Sequence, residues 1–229
     1  MKRIIVFCFA IMIAFAASAQ KNVTKFLGIP VDGSKTAMIQ KLKAKGFTYK
    51  ASSDHLEGEF NGHNVQLSVV TNNNKVYRIM VIENIGMSES DAKIRFNTLC
   101  NQFKNNGKYV PSDFVGDFGI ASDVDLSYEL NVDNKRFEAS YYQASESELD
   151  TTGLFDWALQ QILETYTEEQ LQNMDEEQIR ILDIALAFKY LEMKCGHKSV
   201  WFMLDSNYGV YRILLYYDNE LNRANGEDL

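Results

Sequence analysis

The sequence is short of proline, cysteine and basic residues, and each shortage excludes a class of protein. Two prolines in 229 residues leave no proline-rich linker between separate domains. Three cysteines are too few for a scaffold held together by several disulfides. Lys and Arg number 23 against 31 Asp and Glu, so the surface is acidic and repels the phosphates of nucleic acids and anionic lipids. We therefore expect no nucleic-acid partner.

The first nineteen residues have the pattern of a secretory signal peptide. A basic start at Lys2 and Arg3 is followed by an uncharged apolar run over residues 4–17, and Ala-Ser-Ala at 17–19 provides small residues for cleavage. The apolar run is shorter than the roughly 20 residues that span a bilayer as a helix. We expect cleavage after Ala19, no retained membrane span, and a mature chain of residues 20–229 in the periplasm or at the cell surface. Loss of Lys2 and Arg3 changes the net charge from −8 to −10.

The cysteines of the mature chain leave two possibilities open. Cys8 falls within the signal segment, so Cys100 and Cys195 remain. An exported protein with two cysteines permits one disulfide. Two buried free thiols are the alternative, because cysteine packs well as a small apolar residue.

Residue periodicity predicts an α+β fold with antiparallel sheets and helices packed on one face. Ser34 caps a helix that ends before Gly46, and Ser88 caps a second helix that ends at Gly107. Between the two runs Leu56 to Phe60 and Val65 to Val70, the pair Asn61-Gly62 is the clearest hairpin signal. The other predicted strands are Phe47 to Lys50, Val76 to Ile82, Val124 to Leu130, Arg136 to Tyr142, Val200 to Leu204 and Val210 to Tyr217.

A helical region is predicted from about residue 154 to residue 194. It contains two sequences in which a cap residue, Thr167 or Asp175, stands three residues before a glutamine, as in a capping box. Each cap is followed by two glutamates. We interpret these acidic pairs as helix starts rather than as catalytic carboxylates.

Two segments of the chain have a similar sequence. Val76-Tyr77-Arg78-Ile79 and Val210-Tyr211-Arg212-Ile213 share four residues in order, and each follows a β-rich run. One interpretation is a duplicated helix-plus-sheet unit, with repeats at 26–110 and 111–229 and a helical insertion at about 145–198. The other is chance, since β-hairpins reuse few residue types. In both cases residues 20–229 are expected to form a single α+β domain.

Both ends of the mature chain carry a distinctive pattern. The opening, Phe26-Leu27-Gly28-Ile29-Pro30-Val31-Asp32-Gly33-Ser34, leads into a lysine-rich helix, and the end runs from Tyr216-Tyr217-Asp218-Asn219 to Asn225-Gly226-Glu227-Asp228-Leu229. These segments resemble small secreted proteins common in Bacteroidetes, whereas the segment from about Ser145 to Lys198 departs from them. The resemblance implies an exported α+β protein and supplies no catalytic residues. As a helix-plus-sheet unit repeated twice, the chain is also similar to β-lactamase-inhibitor-like folds, which implies a fold and not a function.

Acidic residues provide the best metal candidate. Asp123, Asp125 and Glu129 alternate along the predicted strand Val124 to Leu130, so their carboxylates would share one face. Calcium prefers such hard oxygen ligands. A calcium site, or a metal-dependent hydrolase that uses this strand, is therefore one hypothesis. A solvated strand face is the alternative, and no other cofactor is expected.

Tyrosines are concentrated in the second half of the chain. If Tyr141, Tyr208, Tyr211 and Tyr217 point outward from a sheet, they form a flat amphipathic surface for a protein or glycan partner. If they point inward, they fill the core. The sequence has no nucleophile elbow, P-loop or dinucleotide-binding glycine pattern. We therefore expect an exported, non-enzymatic interaction module. A ligand-carrying or inhibitor-like protein with a cleft between the repeats is the alternative beside the hydrolase.

Overall fold

One eight-stranded antiparallel sheet organises the residues that the computed structural model describes, 22–113, 116–224 and 226. The expected signal peptide and its cleavage site lie outside these residues. The strands are β1 (Lys25–Phe26), β2 (Ile29–Pro30), β3 (Thr48–Lys50), β4 (His55–Phe60), β5 (His63–Asn72), β6 (Lys75–Glu83), β7 (Tyr109–Pro111), β8 (Glu138–Gln143), β9 (Lys198–Asn207) and β10 (Val210–Asn219). The helices are α1 (Lys35–Ala44), α2 (Glu89–Lys104), α3 (Leu126–Asn131), α4 (Leu154–Thr165), α5 (Glu168–Gln172) and α6 (Glu176–Cys195).

The strand order of the large sheet is β3-β4-β5-β6-β10-β9-β8-β7, and every neighbouring pair is antiparallel. The order is symmetric about the β6–β10 pair, with one helix, α1 or α2, before each run of four strands. The hairpin β1–β2 forms a separate two-stranded sheet. The α+β fold class predicted from the sequence is therefore confirmed.

The core lies between one face of this sheet and helices α1 to α3. Met38 and Leu42 of α1, and Phe96, Leu99 and Phe103 of α2, are buried against it. Strand residues of one parity complete the core, because successive side chains point to opposite faces of a strand. On the last two strands these are Val200, Phe202, Leu204, Tyr211, Ile213, Leu215 and Tyr217.

The predicted starts of the first two helices, the end of the first helix and the first hairpin are confirmed, whereas α2 ends at Lys104, before the predicted Gly107. Ser34 accepts a hydrogen bond from the Ala37 backbone and Ser88 from that of Asp91, so each caps its helix. At the end of α1, the Phe47 N–H donates to the Leu42 carbonyl, as in a Schellman motif. The turn Asn61-Gly62 has two positive φ angles and joins β4 to β5.

Helices α4 to α6 lie between β8 and β9 in the chain. Both predicted capping boxes are present, at Thr167 with Gln170 and at Asp175 with Gln178, so these acidic segments start helices. Helix α6 packs on α4 and contacts β8.

The predicted strand Val124 to Leu130 is wrong, because this segment forms α3. Asp125 caps α3 by accepting a hydrogen bond of 2.9 Å from the Tyr128 backbone. Leu126, which is buried, and Leu130, which is partly buried, are four residues apart. That spacing fits a helix turn as well as it fits strand alternation, and the cap favours the helix.

Within the described residues, no helix combines the length and the apolar character needed to cross a membrane.

Candidate functional site

The sheet face opposite to α1 and α2, here called the open face, carries three rows of side chains that run across the strands. Directly paired residues of neighbouring strands share a face, so the register defines the rows. They are Gln66, Ile82, Leu214, Met203 and Glu138; Ser68, Met80, Tyr216, Trp201 and Ser140; and Val70, Arg78, Asp218, Ser199 and Tyr142.

The middle of the open face holds an aromatic and ionic cluster. The Trp201 and Tyr216 rings are stacked with centroids 4.0 Å apart. Arg78 donates from Nε to Asp218 Oδ1 at 2.7 Å and from Nη2 to Asp218 Oδ2 at 2.6 Å. The indole N–H of Trp201 donates to the same Oδ2 at 3.0 Å. The four side chains therefore form one bonded unit on three adjacent strands.

The electrostatics of this cluster keep Arg78 charged beside the two rings. The hydrogen bonds to Asp218 raise the pKa of Arg78 above its usual value. The guanidinium carbon lies 4.7 Å from the Tyr216 ring centroid and 5.4 Å from that of Trp201, within cation–π range. Burial raises the pKa of Tyr216, and Arg78 offsets part of that rise. The phenol is therefore neutral at physiological pH.

Residues 145–195, here called the acidic arm, border the open face at its β8 edge. They contain twelve Asp or Glu residues against three Lys or Arg. Glu192 of α6 lies close enough to Tyr142 of β8 to raise the pKa of that phenol, in addition to the larger effect of burial. The arm also exposes large apolar side chains, among them Phe155, Leu159 and Leu163 on α4 and Ile181 and Ile184 on α6. An acidic, partly apolar segment thus lies at the β8 edge of the sheet face that carries the aromatic cluster.

Three of the four tyrosines predicted to form an outward binding surface are in the core. Tyr141, Tyr211 and Tyr217 have the strand parity that faces the helices, and each is buried. Tyr217 packs edge-on against Phe26, and Tyr141 stacks on Phe103. Tyr208 is fully exposed, but it lies in the turn between β9 and β10, away from the other three. The predicted tyrosine surface is therefore wrong. On the other face, Trp201 is partly exposed and Tyr216 is 8% exposed.

Cys100 and Cys195 are free thiols, so the structure contains no disulfide between them. Cys100 lies beside Tyr141 and Cys195 beside Tyr142. Those tyrosines are adjacent in β8 and point to opposite faces, so the sheet separates the two sulfur atoms. Burial raises the pKa of each thiol to about 11. Of the two possibilities left open by the sequence, the structure therefore has two free thiols and not the disulfide.

The three predicted metal ligands do not share a strand face. Asp125 is the cap of α3, Glu129 within α3 is ion-paired with Lys135 at 3.0 Å, and Asp123 is exposed ahead of the helix. Among the described residues there is no group of three or more His, Cys, Asp or Glu side chains arranged to hold a metal. The geometric basis of the acidic-strand hypothesis is therefore lost.

Comparison of the chain with known protein families, with curated proteins and with solved structures finds no match.

The open-face cluster was missed in the sequence although β10 contains a signal for it. Arg212, Tyr216 and Asp218 have the same strand parity, whereas the opposite parity carries Ile213 and Leu215. Charged residues mark the parity that does not face the apolar core under the helices, so Tyr216 belongs with them. The pairing of Tyr216 with Trp201 depends on the β9–β10 register.

Proposed function

We propose that this protein is an exported, non-enzymatic binding module that holds a basic partner protein against its open face. The observation that carries the proposal is the Trp201–Tyr216 stack, bonded through Asp218 to Arg78 in the centre of that face. Trp, Tyr and Arg are the residues that most often dominate the energy of protein interfaces.

The cluster is supported by rigid elements rather than by loops. Its members stand on three hydrogen-bonded strands, β6, β10 and β9. Side chains held in this way lose little conformational entropy when a partner binds. Apolar side chains extend the surface around the stack: Met80 lies in the same row, and Met203 and Leu214 lie in a neighbouring row. Such a surface suits apolar side chains of a protein better than the hydroxyl groups of a glycan.

The charge of the acidic arm supports a basic partner. Carboxylates beside an interface attract a cationic partner and speed its association. A second copy of this chain would bring two acidic arms together, and like charges at an interface are unfavourable. Electrostatic complementarity therefore favours a different protein with a cationic surface.

The proposal includes an ancestral duplication of a unit made of one helix and four strands, and the symmetric strand order supports it. The two Val-Tyr-Arg-Ile segments lie on β6 and β10, the pair at the centre of the symmetry. Duplication of a helix and four strands would produce a continuous eight-stranded face, larger than a single unit offers.

Affinity purification from cross-linked cell envelopes tests the proposal. The bait is the tagged chain of residues 20–229, compared with Met80→Asp on the open face and with Tyr208→Asn in the exposed turn as the matched control. All baits are checked for folding by circular dichroism. We expect one basic protein to be retained by the parent chain and by Tyr208→Asn, and retention to fall at least about tenfold with Met80→Asp.

A second variant tests the electrostatic part. Glu164→Gln, Asp183→Asn and Glu192→Gln together remove three carboxylates from the acidic arm without touching a helix cap. Retention of the partner should fall, most clearly at low salt.

Equal retention by Met80→Asp and the parent chain would overturn the proposal. If retention survives protease treatment of the envelope but is lost after glycosidase treatment, the ligand of the open face is a glycan and not a protein.

A further inference from the structure

A concavity lies on the helix side of the sheet, between the β1–β2 hairpin, the β4–β5 turn and the C-terminal half of α2. This cleft has a volume of about 860 Å³, within the range of small-molecule sites. Leu215 and Tyr217 of β10 form part of its floor and have the parity that faces the core. The sheet therefore separates the cleft from the open face.

The floor of the cleft is apolar and aromatic. Leu99 and Phe103 of α2 are buried there with Leu215, and Phe60 stands at the side. The hydroxyl group of Tyr217 is hydrogen-bonded to Tyr109. Since this hydroxyl already has a partner, the floor is suited to an apolar ligand body.

The mouth of the cleft carries two exposed cations, Lys25 and Lys108. Neither forms an ion pair within the part of the chain that the structure describes. Glu59 is the carboxylate among the lining residues, and the buried Lys198 is compensated by its ion pair with Glu148. The mouth is therefore net positive in a protein whose net charge is −8.

The hairpin beside the mouth places a leucine where the backbone disfavours one. Leu27 has a φ of 50° in the two-residue turn between β1 and β2, a conformation that Asn or Gly adopts at lower cost. Its side chain is 38% exposed and lines the cleft. A strained residue that presents an exposed apolar group to a cavity indicates a role in binding.

We propose that this cleft binds a small amphipathic carboxylate. Its apolar body lies over Leu99 and Phe103 and under Leu27, and its anionic head is held by Lys25 and Lys108. The site is separate from the open face, so its ligand and the partner protein can be tested independently.

Titration of the 20–229 chain with two matched probes tests the proposal. Dodecanoate and dodecylammonium have the same apolar body and opposite head-group charges, and both are used below their micelle concentrations. We expect dodecanoate to give saturable binding by calorimetry and to shift backbone amide NMR signals of residues 25–28 and 99–109. Dodecylammonium should not shift these signals. Absence of saturable dodecanoate binding, or equal shifts with both probes, would overturn the proposal.

Two variants test the assigned residues. Lys25→Gln together with Lys108→Gln should weaken dodecanoate binding at least about tenfold, because two charge-assisted contacts are lost. Lys75→Gln, an exposed lysine away from the cleft, is the matched control and should bind as the parent chain does. Equal affinity of the double variant and this control would contradict the role of the mouth.

Leu27→Asn separates ligand binding from folding. It relieves the backbone strain, so the melting temperature should stay the same or rise, while dodecanoate affinity should fall. A raised melting temperature with unchanged affinity would show that Leu27 takes no part in binding.

Discussion

Arg78 of β6 and Asp218 of β10 form a two-point ion pair across the strands at the centre of the sheet. The Asp218 side chain is 1% exposed and that of Arg78 is 20% exposed. The carboxylate thus has its charge compensated away from water, and it also accepts the hydrogen bond from Trp201. Loss of one member of this pair leaves the other without compensation.

Asp218→Leu should lower the free energy of unfolding by about 3 kcal/mol, because the Arg78 cation loses its partner in a poorly solvated position. Arg78 is still partly hydrated, so we expect the lower end of the range for buried pairs. Chemical denaturation measures the change. Arg78→Met combined with Asp218→Leu should recover most of the loss, since two apolar groups need no charge compensation. A double variant as unstable as Asp218→Leu alone would contradict this account.

Glu148 should make the stability depend on pH in the acid range. Burial alone would raise its pKa, but hydrogen bonds from Lys198, Ser145 and Asn22 outweigh burial and hold the pKa at about 2. Because folding lowers this pKa, the carboxylate stabilises the fold above pH 4.5, its ordinary value, and loses that contribution as the pH falls to about 2.

Denaturation of Glu148→Gln at several pH values measures this contribution. The difference in unfolding free energy from the parent chain should be largest above pH 5 and should shrink toward zero near pH 2. Glu146→Gln, two residues away and exposed, is the control and should follow the parent curve. A difference between Glu148→Gln and the parent that is independent of pH would argue against the ion pair.

The two thiols of the mature chain should resist alkylation until the protein unfolds. With a pKa of about 11, roughly one thiol in a thousand is ionised at pH 8, and only the thiolate reacts. Intact-mass analysis should show no iodoacetamide adduct on the native chain and two adducts in denaturant without a reducing agent. If adducts form in denaturant only after reduction, Cys100 and Cys195 are bridged.

Asp125 should act as a helix cap. Asp125→Ala removes the acceptor for the Tyr128 N–H and should cost about 1 kcal/mol, whereas Asp125→Asn keeps an acceptor and should cost much less. Thermal denaturation compares the two variants.

Millimolar calcium should leave the melting temperature of the parent chain unchanged. A rise with calcium that Asp125→Asn abolishes would restore the metal hypothesis.

Much of the fold could be predicted because its signals are local. Ser34, Ser88, Thr167 and Asp175 each satisfy backbone groups a few residues away, and Asn61-Gly62 adopts the positive φ angles that a tight hairpin needs. The same local signals gave the wrong element at Val124 to Leu130, where seven residues fit both the helix period and the strand period. The short length of α3 makes the pattern ambiguous. Asp125, as a helix cap, decides between helix and strand.

The candidate site could not be predicted because it depends on register and on which sheet face the helices cover. Alternation showed that the strands have two faces, but it did not place Tyr211 and Tyr217 under α1 to α3 and Tyr216 on the opposite side. A shift of one residue would have exchanged the two sets. Arg78 and Asp218 are 140 residues apart in the chain, and no local preference relates them.

The sequence by itself determined the longer helices and strands, the Asn61-Gly62 turn and the α+β class, because caps, periodicity and turn residues act over a few residues; the short α3 was the exception. Only the tertiary structure decided which aromatics are buried, that the sheet separates the two cysteines, and that Arg78, Asp218, Trp201 and Tyr216 meet. These relationships arise when β6 pairs with β10, and the physical reason is that strand pairing joins residues that are distant in sequence.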